Sequence, residues 1–227
     1  MESVPTSTYI ATLNGYATSN EEKTKEFKEA FFPPPPPANL MDIRETVEYP
    51  ESVACSSRIT MHQLQKAVDK TAPDKAAGPD EISNRVLKES FTELQHHLLA
   101  LVQASINIGH FPKPFKTTTT IVLRKPGKPD YTKPKAYRPI ALENTIGKIL
   151  ESVMADTLSY LTEKYELLPA QHYGGRPGRT AEDAMMILSE NIHEAWKIGE
   201  IYSAVFMDVA GAFNNVHHER LIHNMRK

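Results

Sequence analysis

The stretch Ala204-Val-Phe-Met-Asp-Val-Ala-Gly-Ala-Phe-Asn-Asn-Val216 decides how the rest of the chain is interpreted. Residues 201–207 are mostly apolar and predict a short buried strand that ends on the carboxylate of Asp208. A carboxylate at the exit of a buried strand is unfavourable unless a cation meets it, and a divalent metal is the obvious candidate. The alternative is that Asp208 caps a helix beginning near Val209. A tight turn then leads to Phe213.

Composition bounds the class of protein. The chain has 227 residues, enough for one large domain, and 40% of them are hydrophobic. The net charge of -2 conceals a basic tract at residues 113–138. This tract contains one acidic residue, Asp130, and eight basic residues, namely Lys113, Lys116, Arg124, Lys125, Lys128, Lys133, Lys135 and Arg138. That tract predicts an anionic partner. A single cysteine, Cys55, excludes an internal disulfide and a cysteine zinc cage. No run is long enough to span a bilayer, and no secretory signal is visible at the N-terminus.

Local patterns predict the order of elements. Helical spacing of apolar residues and capping sequences predict helices at residues 21–32, 60–68, 83–108, 144–163 and 181–198 and from His217 onward. β-Branched and apolar runs predict strands at residues 117–123 and 137–142, on either side of a basic loop at 124–128. Residues 1–20 lack periodicity, and we expect them to be mobile. Five prolines at residues 33–37 predict a stiff spacer.

Four sequence blocks follow one another over about residues 60–225. They are Lys75-Ala-Ala-Gly-Pro-Asp-Glu-Ile82; Phe111-Pro112 with Ile121-Val-Leu-Arg-Lys-Pro-Gly-Lys-Pro-Asp130, Tyr137-Arg-Pro-Ile-Ala-Leu142, Lys148 and Glu151; Gln171-His-Tyr-Gly-Gly-Arg-Pro-Gly-Arg-Thr180 with Asp183-Ala184; and the stretch quoted above. In this order and spacing they resemble the N-terminal part of the reverse transcriptases of non-LTR (LINE-type) retrotransposons. Phe115, where the family often has Trp, and Gly175, where many relatives have Phe, depart from the pattern.

The resemblance implies an α+β fold, namely a partial right-hand polymerase with fingers and an incomplete palm, helix-rich with short antiparallel strands. It divides the chain into four parts. These are a mobile N-terminal segment with a polyproline spacer (residues 1–37), a helical N-terminal extension of the reverse transcriptase (38–110), a fingers-like region (111–200) and a truncated start of the palm (201–227).

The resemblance also implies roles for individual residues. Asp208 would be catalytic and would ligate two Mg²⁺ (or Mn²⁺) ions, with the Val209 carbonyl as a further ligand. Phe213 would pack under the incoming sugar and exclude a 2′-hydroxyl, and its alternative is a core aromatic. Lys125 and Arg138 match positions that contact the incoming triphosphate.

Further basic residues are predicted to contact nucleic acid. Arg124 and Lys128 lie in the basic loop, and Arg176 and Arg179 precede a helix N-terminus, where backbone donors suit an anion. For the loop with Arg176 and Arg179, a purely structural turn is the alternative. The implied partners are an RNA template, a DNA primer and dNTPs, with no membrane. The implied location is the nucleus, the cytoplasm or both.

The second catalytic block of the family, an aromatic-x-Asp-Asp hairpin, does not occur in these 227 residues, and Asp208 is the only Asp after residue 200. One carboxylate does not compensate the repulsion of two dications about 4 Å apart. We therefore expect a fragment of an RNA-directed DNA polymerase that is inactive alone. Two other functions stay open. The chain could be a non-catalytic nucleic-acid-binding module, or a half-palm whose open strands bind a partner chain.

Overall fold

The computed structural model describes residues 9–13, 15–34, 37–43, 47–209, 211–213 and 215–227. In this part of the chain, seven α-helices accompany two small antiparallel sheets of two strands each, so the predicted helix-rich fold with short antiparallel strands is confirmed. The elements are β1 Ile10–Thr12, β2 Gly15–Ala17, α1 Asn20–Phe31, α2 Met61–Asp69, α3 Asn84–Glu89, α4 Phe91–Asn107, β3 Thr118–Arg124, β4 Tyr137–Glu143, α5 Thr145–Lys164, α6 Ala181–Lys197 and α7 His218–Arg226.

Capping boxes start three of the helices. Ser19, Thr60 and Thr180 each accept a hydrogen bond from the backbone amide three residues later, and the side chain there accepts one from the cap amide. Each box satisfies two backbone donors that the first helical turn would otherwise leave unpaired. The capping boxes predicted for α2 and α6 are therefore confirmed.

Two features differ from the sequence predictions. The single helix predicted over residues 83–108 is two helices, because the backbone leaves helical geometry at Ser90, whose hydroxyl donates to the Val86 carbonyl at 2.7 Å. Residues 10–12 and 15–17, within the segment predicted to be mobile, pair as the antiparallel strands β1 and β2. Three-residue strands are too short to show a period of two. Pro35 and Pro36 of the predicted spacer lie outside the described residues.

Helices α2, α3, α4 and α5 enclose the main core. Leu64 of α2 and Ile149 of α5 have no exposed surface, and the rest of the buried set is Ile59, Ala67, Val68, Leu87, Phe91, Leu98, Val102, Leu150 and Val153. Burying side chains of this size supplies most of the favourable free energy of folding. This core therefore sets the positions of the segments that join the four helices.

A second, smaller core joins the N-terminal hairpin to the β3–β4 sheet. Ile10 and Ala17 are buried with Phe31 and Tyr137, and the Phe27 ring meets the Tyr137 ring edge-on at a centroid distance of 4.9 Å. This core anchors α1 on one face of the β3–β4 sheet, through Val122 and Tyr137. The other face of the sheet stays available for function.

The segment between α2 and α3 meets the start of α5 at a tight contact that we call the junction, formed by Gly78, Asp80 and Asn144. The Asn144 side chain does not cap α5. Instead, its Oδ1 accepts from the Asp80 amide at 3.2 Å, and its Nδ2 donates to the Pro114 carbonyl at 3.0 Å. Gly78 lies so close that a β-carbon there would be 2.5 Å from the Asn144 nitrogen. The junction thus ties the Lys75–Ile82 block to the segment that precedes β3.

The last two helices are less tightly packed. No residue of α6 is buried; of the apolar stripe predicted for it, Ile187 is exposed and Ala184, Leu188, Ile192 and Ala195 are partly buried. α7 contacts Asn39, Asp42 and Tyr49. Its Arg220 forms an ion pair with Asp42, and Tyr49 Oη lies 3.0 Å from Nδ1 of the buried His223. The Arg220 guanidinium lowers the pKa of the Asp42 carboxyl. None of the described helices is both long and apolar enough to cross a membrane.

Candidate functional site

The strand predicted at residues 201–207 is wrong. These residues form no strand, and the side chains of Phe206 and Met207 are 82% and 89% exposed. A strand needs a partner for its backbone groups, and no described residue pairs with this segment. The predicted helix cap is wrong as well. Among the described residues, the Asp208 carboxylate accepts from the adjacent Val209 amide alone, at 2.9 Å, and the next described helix begins at His218.

The environment of Asp208 does not form a metal centre by itself. The Asp208 side chain is exposed, and within the described ranges no three His, Cys, Asp or Glu side chains come together so as to hold a metal ion. Magnesium needs several oxygen ligands in near-octahedral geometry. Asp208 and the Val209 carbonyl therefore supply too few ligands for the two-ion centre of the complete family, and their role as metal ligands stays a prediction.

Phe213 lies in the turn that follows and is 93% exposed. The alternative interpretation, a core aromatic, is therefore wrong. Exposing a phenylalanine ring to water is unfavourable, so an exposed ring is typical of a surface that contacts a ligand or another macromolecule. Ala210, in the predicted tight turn before it, lies outside the described residues.

The β3–β4 hairpin carries the predicted phosphate-binding residues. Its strands pair from Thr118 opposite Glu143 to Arg124 opposite Tyr137, and Leu123 pairs with Arg138. Because side chains alternate along a strand, Arg138 shares a face with Leu123, and Tyr137 takes the face that packs on α1. Arg138 is exposed on this free face.

Lys125 and the basic loop are held by internal contacts that the sequence analysis did not identify. The half-buried Lys125 donates from Nζ to the Lys135 carbonyl at 2.9 Å. Tyr131 donates from its hydroxyl to the Lys125 carbonyl at 2.8 Å, and the Arg124 guanidinium lies 5.3 Å from the centre of the Tyr131 ring. Lys128 is exposed at the loop tip. An aromatic residue inside a basic tract was the available signal for Tyr131.

Arg176 makes internal contacts. Its guanidinium forms two hydrogen bonds of 2.7 Å with the Glu163 carboxylate and one of 2.9 Å with the Pro169 carbonyl, and its side chain is only 7% exposed. These contacts support the structural turn that the sequence left open. Arg179 donates to the Ala170 carbonyl and lies 5.3 Å from the centre of the Tyr173 ring. Both arginines therefore shape the loop before α6.

We expect the ion pair between Arg176 and Glu163 to stabilise the protein at neutral pH and to lose this effect in acid. Hydrogen bonds from Arg176 hold the pKa of the Glu163 carboxyl below its ordinary value of 4.5. Stability that comes from a lowered carboxyl pKa is fully present above the unfolded-state pKa and is lost as pH falls through the folded-state pKa. Glu163→Gln should therefore lower the melting temperature at neutral pH, and the difference from wild type should shrink below about pH 4. An equal difference at about pH 7 and pH 3 would contradict this assignment.

Comparison with known proteins gives a consistent family. Residues 123–227 match the family model of the reverse transcriptase (RNA-dependent DNA polymerase). The chain is 29% identical over 169 residues to the "probable RNA-directed DNA polymerase from transposon BS" of Drosophila melanogaster. The matched residues cover 74% of this chain and 18% of that protein. It is 24% identical over 234 residues to the RNA-directed DNA polymerase from mobile element jockey of Drosophila funebris, covering 99% of this chain and 25% of that protein.

The chain thus spans a quarter or less of the length of these curated relatives. The matched region begins at Leu123, near the end of β3, and includes β4, α5, α6, the Asp208 segment and α7. Residues 123–227 are therefore part of a reverse transcriptase domain, and the chain is related to the RNA-directed DNA polymerases of non-LTR retrotransposons.

Proposed function

We propose that this chain is part of an RNA-directed DNA polymerase of a non-LTR retrotransposon. The observation that carries the proposal is the match of residues 123–227 to a reverse transcriptase domain. In the proposal, residues 1–37 are an N-terminal segment, 38–110 a helical extension, 111–200 the fingers of a right-hand polymerase and 201–227 the start of its palm. An RNA template, a DNA primer and dNTPs are its substrates, and it works in the nucleus, the cytoplasm or both.

The β3–β4 hairpin is the proposed site for the incoming nucleotide. Arg138 is exposed on the free face of the sheet, where its guanidinium is able to make paired hydrogen bonds to a phosphate. Lys125 lies one residue beyond β3, and a triphosphate would have to compete with the Lys135 carbonyl for its ammonium group. Arg124 and Lys128 supply positive charge for the nucleic-acid backbone.

The loop before α6 is proposed to support the template. Arg179 is the residue of this loop that we assign to nucleic-acid contact, because the guanidinium of Arg176 is already satisfied by Glu163. Arg176 then acts on nucleic acid only through the shape of the loop. Phe213, exposed beyond Asp208, is the proposed surface for the sugar of the incoming nucleotide.

The reverse transcriptase family implies the use of divalent metal ions. Asp208, with the Val209 carbonyl, is the residue of this chain that would hold them. When bound, such ions supply charge stabilisation at the reacting phosphate. A single exposed carboxylate does not hold two dications, so we propose that the 227-residue chain alone does not polymerise.

Primer extension tests this proposal. With an RNA template, a DNA primer, dNTPs and Mg²⁺, we expect no extension above background from the purified chain, and none from Asp208→Ala. The reason is that Asp208 is the one carboxylate predicted at the metal site, and among the described residues no three His, Cys, Asp or Glu side chains come together to hold a metal, whereas the chemistry needs several carboxylates. Robust extension that Asp208→Ala abolishes, and that the exposed control Asp69→Ala retains, would overturn the proposal.

A second function is supported by a separate observation. The basic loop around Lys128 is exposed and ordered by Tyr131 without any contribution from Asp208. A nucleic-acid-binding module without catalysis would need only this feature, and its affinity for RNA would fall with rising salt concentration. The third function, a half-palm that binds a partner chain, is supported by the exposed apolar side chains at residues 205–207.

A further inference from the structure

A groove of about 460 Å³ lies between α2 and the C-terminal half of α5, and residues 54–58 form part of its wall. We call it the α2–α5 groove. Its charged lining consists of Arg58, Lys66, Lys164 and one carboxylate, Asp156. It shares no residue with the basic tract at 113–138 or with the Asp208 segment. None of the functions discussed above uses it.

The charges in the α2–α5 groove do not balance. Asp156 is shared by two lysines, with Lys70 Nζ at 2.5 Å and Lys66 Nζ at 3.6 Å from its oxygens. Lys70 is therefore sufficient to neutralise this carboxylate. Among the described residues, the guanidinium of Arg58 has neither a hydrogen bond nor an ion pair, and Lys164 has no carboxylate partner. Four cations, Arg58, Lys66, Lys70 and Lys164, therefore lie in or beside the groove with one carboxylate, so the cluster keeps a net positive charge of three.

An aromatic side chain lies beside these charges. Tyr160 lines the groove, and 61% of its surface is exposed. Lys164 Nζ lies 5.6 Å from the centre of the Tyr160 ring, so cation and ring form a single surface. Exposed aromatic rings next to a line of cations are typical of sites where nucleobases stack while phosphates follow the charges.

We propose that the α2–α5 groove binds single-stranded nucleic acid. Arg58, Lys66 and Lys164 contact successive phosphates, and a base stacks on Tyr160. An acidic protein segment would satisfy the same cations but would leave the exposed ring without a function, so the ring favours nucleic acid. The inference is independent of polymerase activity, because it uses neither Asp208 nor the β3–β4 hairpin.

The test measures binding of the full chain to labelled single strands of about 20 nucleotides, one of RNA and one of DNA, by fluorescence anisotropy across a salt series. The key variant is Arg58→Ala/Lys66→Ala/Lys164→Ala, which leaves the Lys70–Asp156 pair intact. Each lost phosphate contact reduces the slope of log affinity against log salt by about 0.7, so we expect a reduction of about 2. The matched control removes three exposed lysines elsewhere, Lys25, Lys28 and Lys197, and should keep the wild-type slope.

Two further variants test the ring. Tyr160→Ala should weaken binding by at least about fivefold, whereas Tyr160→Phe should retain it. Melting curves establish that each variant is folded, and the single variant Arg58→Ala, with an expected slope change of about 0.7, replaces the triple variant if that one unfolds. The proposal would be overturned if the variant that lacks Arg58, Lys66 and Lys164 had the same slope of log affinity against log salt as the control variant. It would also be overturned by an unchanged affinity in Tyr160→Ala combined with displacement of the oligonucleotide by polyglutamate, since that result assigns the groove to an acidic protein partner.

Discussion

Gly78→Ala is expected to lower the free energy of unfolding by about 3 kcal/mol or more, at the upper end of what overpacking costs. A β-carbon at Gly78 would meet the Glu143 carbonyl group and would lie 2.5 Å from the Asn144 nitrogen. Both are backbone atoms, which cannot rotate away as a flexible side chain can. Accommodating the methyl group therefore requires the end of β4 to move away from the segment that carries Asp80.

That movement would also break hydrogen bonds. Separating the two segments removes the bond from the Asp80 amide to Asn144 and strains the bond from Asn144 to the Pro114 carbonyl. A loss of more than about 3 kcal/mol is a large share of the total stability of an ordinary domain. We therefore expect the variant to be partly unfolded or to expose the main core under mild denaturant.

Urea unfolding followed by circular dichroism measures this effect, and Gly174→Ala is the matched control. A β-carbon at Gly174 would have only the His172 ring within 4.0 Å, so the control should keep the wild-type midpoint or exceed it slightly. If the two variants have the same midpoint, the close approach at the junction does not exist in solution.

Leu64→Ala is expected to cost about 2–5 kcal/mol. Leu64 has no exposed surface, and it lies in α2 at the centre of the main core, with Ile149 of α5 in the same cluster. Truncation removes buried methyl groups and leaves a cavity that helices held on several sides fill only in part. The packing of α2 against α5 should weaken first.

Leu94→Ala is the control for this variant, because Leu94 lies in α4 and is 39% exposed. Alanine is an equally good helix former, so the control should change stability by less than about 1 kcal/mol. Chemical denaturation of both variants gives the comparison. A cost for Leu64→Ala no larger than that of the control would show that the main core is not packed as described.

Local chemistry explains most of what could be predicted from the sequence. The starts of α2 and α6 follow from capping boxes at Thr60 and Thr180, whose donors and acceptors lie within three residues of each other. The β3–β4 hairpin follows from two runs rich in β-strand formers around the turn at Gly127, which has a φ of +70°. The relation to reverse transcriptases likewise came from the order of short blocks.

The predictions that were wrong, or that the sequence left open, depend on distant partners. Apolar residues at 201–207 are compatible with a strand, but a strand forms only where another backbone pairs with it, and no described residue does so. The structural use of Arg176 was one of two alternatives until Glu163, thirteen residues away, was placed opposite it. The break at Ser90 was hidden because both helices continue the same apolar pattern.

The sequence by itself therefore determined the relation to reverse transcriptases, the caps and the single carboxylate at Asp208, since each depends on which residues are present and how they are spaced. Only the tertiary structure decided which cations are free. Arg176 forms an ion pair with Glu163, whereas Arg138 stays exposed on its strand, and Arg58 lines a groove with Lys66. The physical reason is that the availability of a charge depends on the carboxylates that folding brings within about 4 Å of it, and spacing along the chain does not encode those contacts.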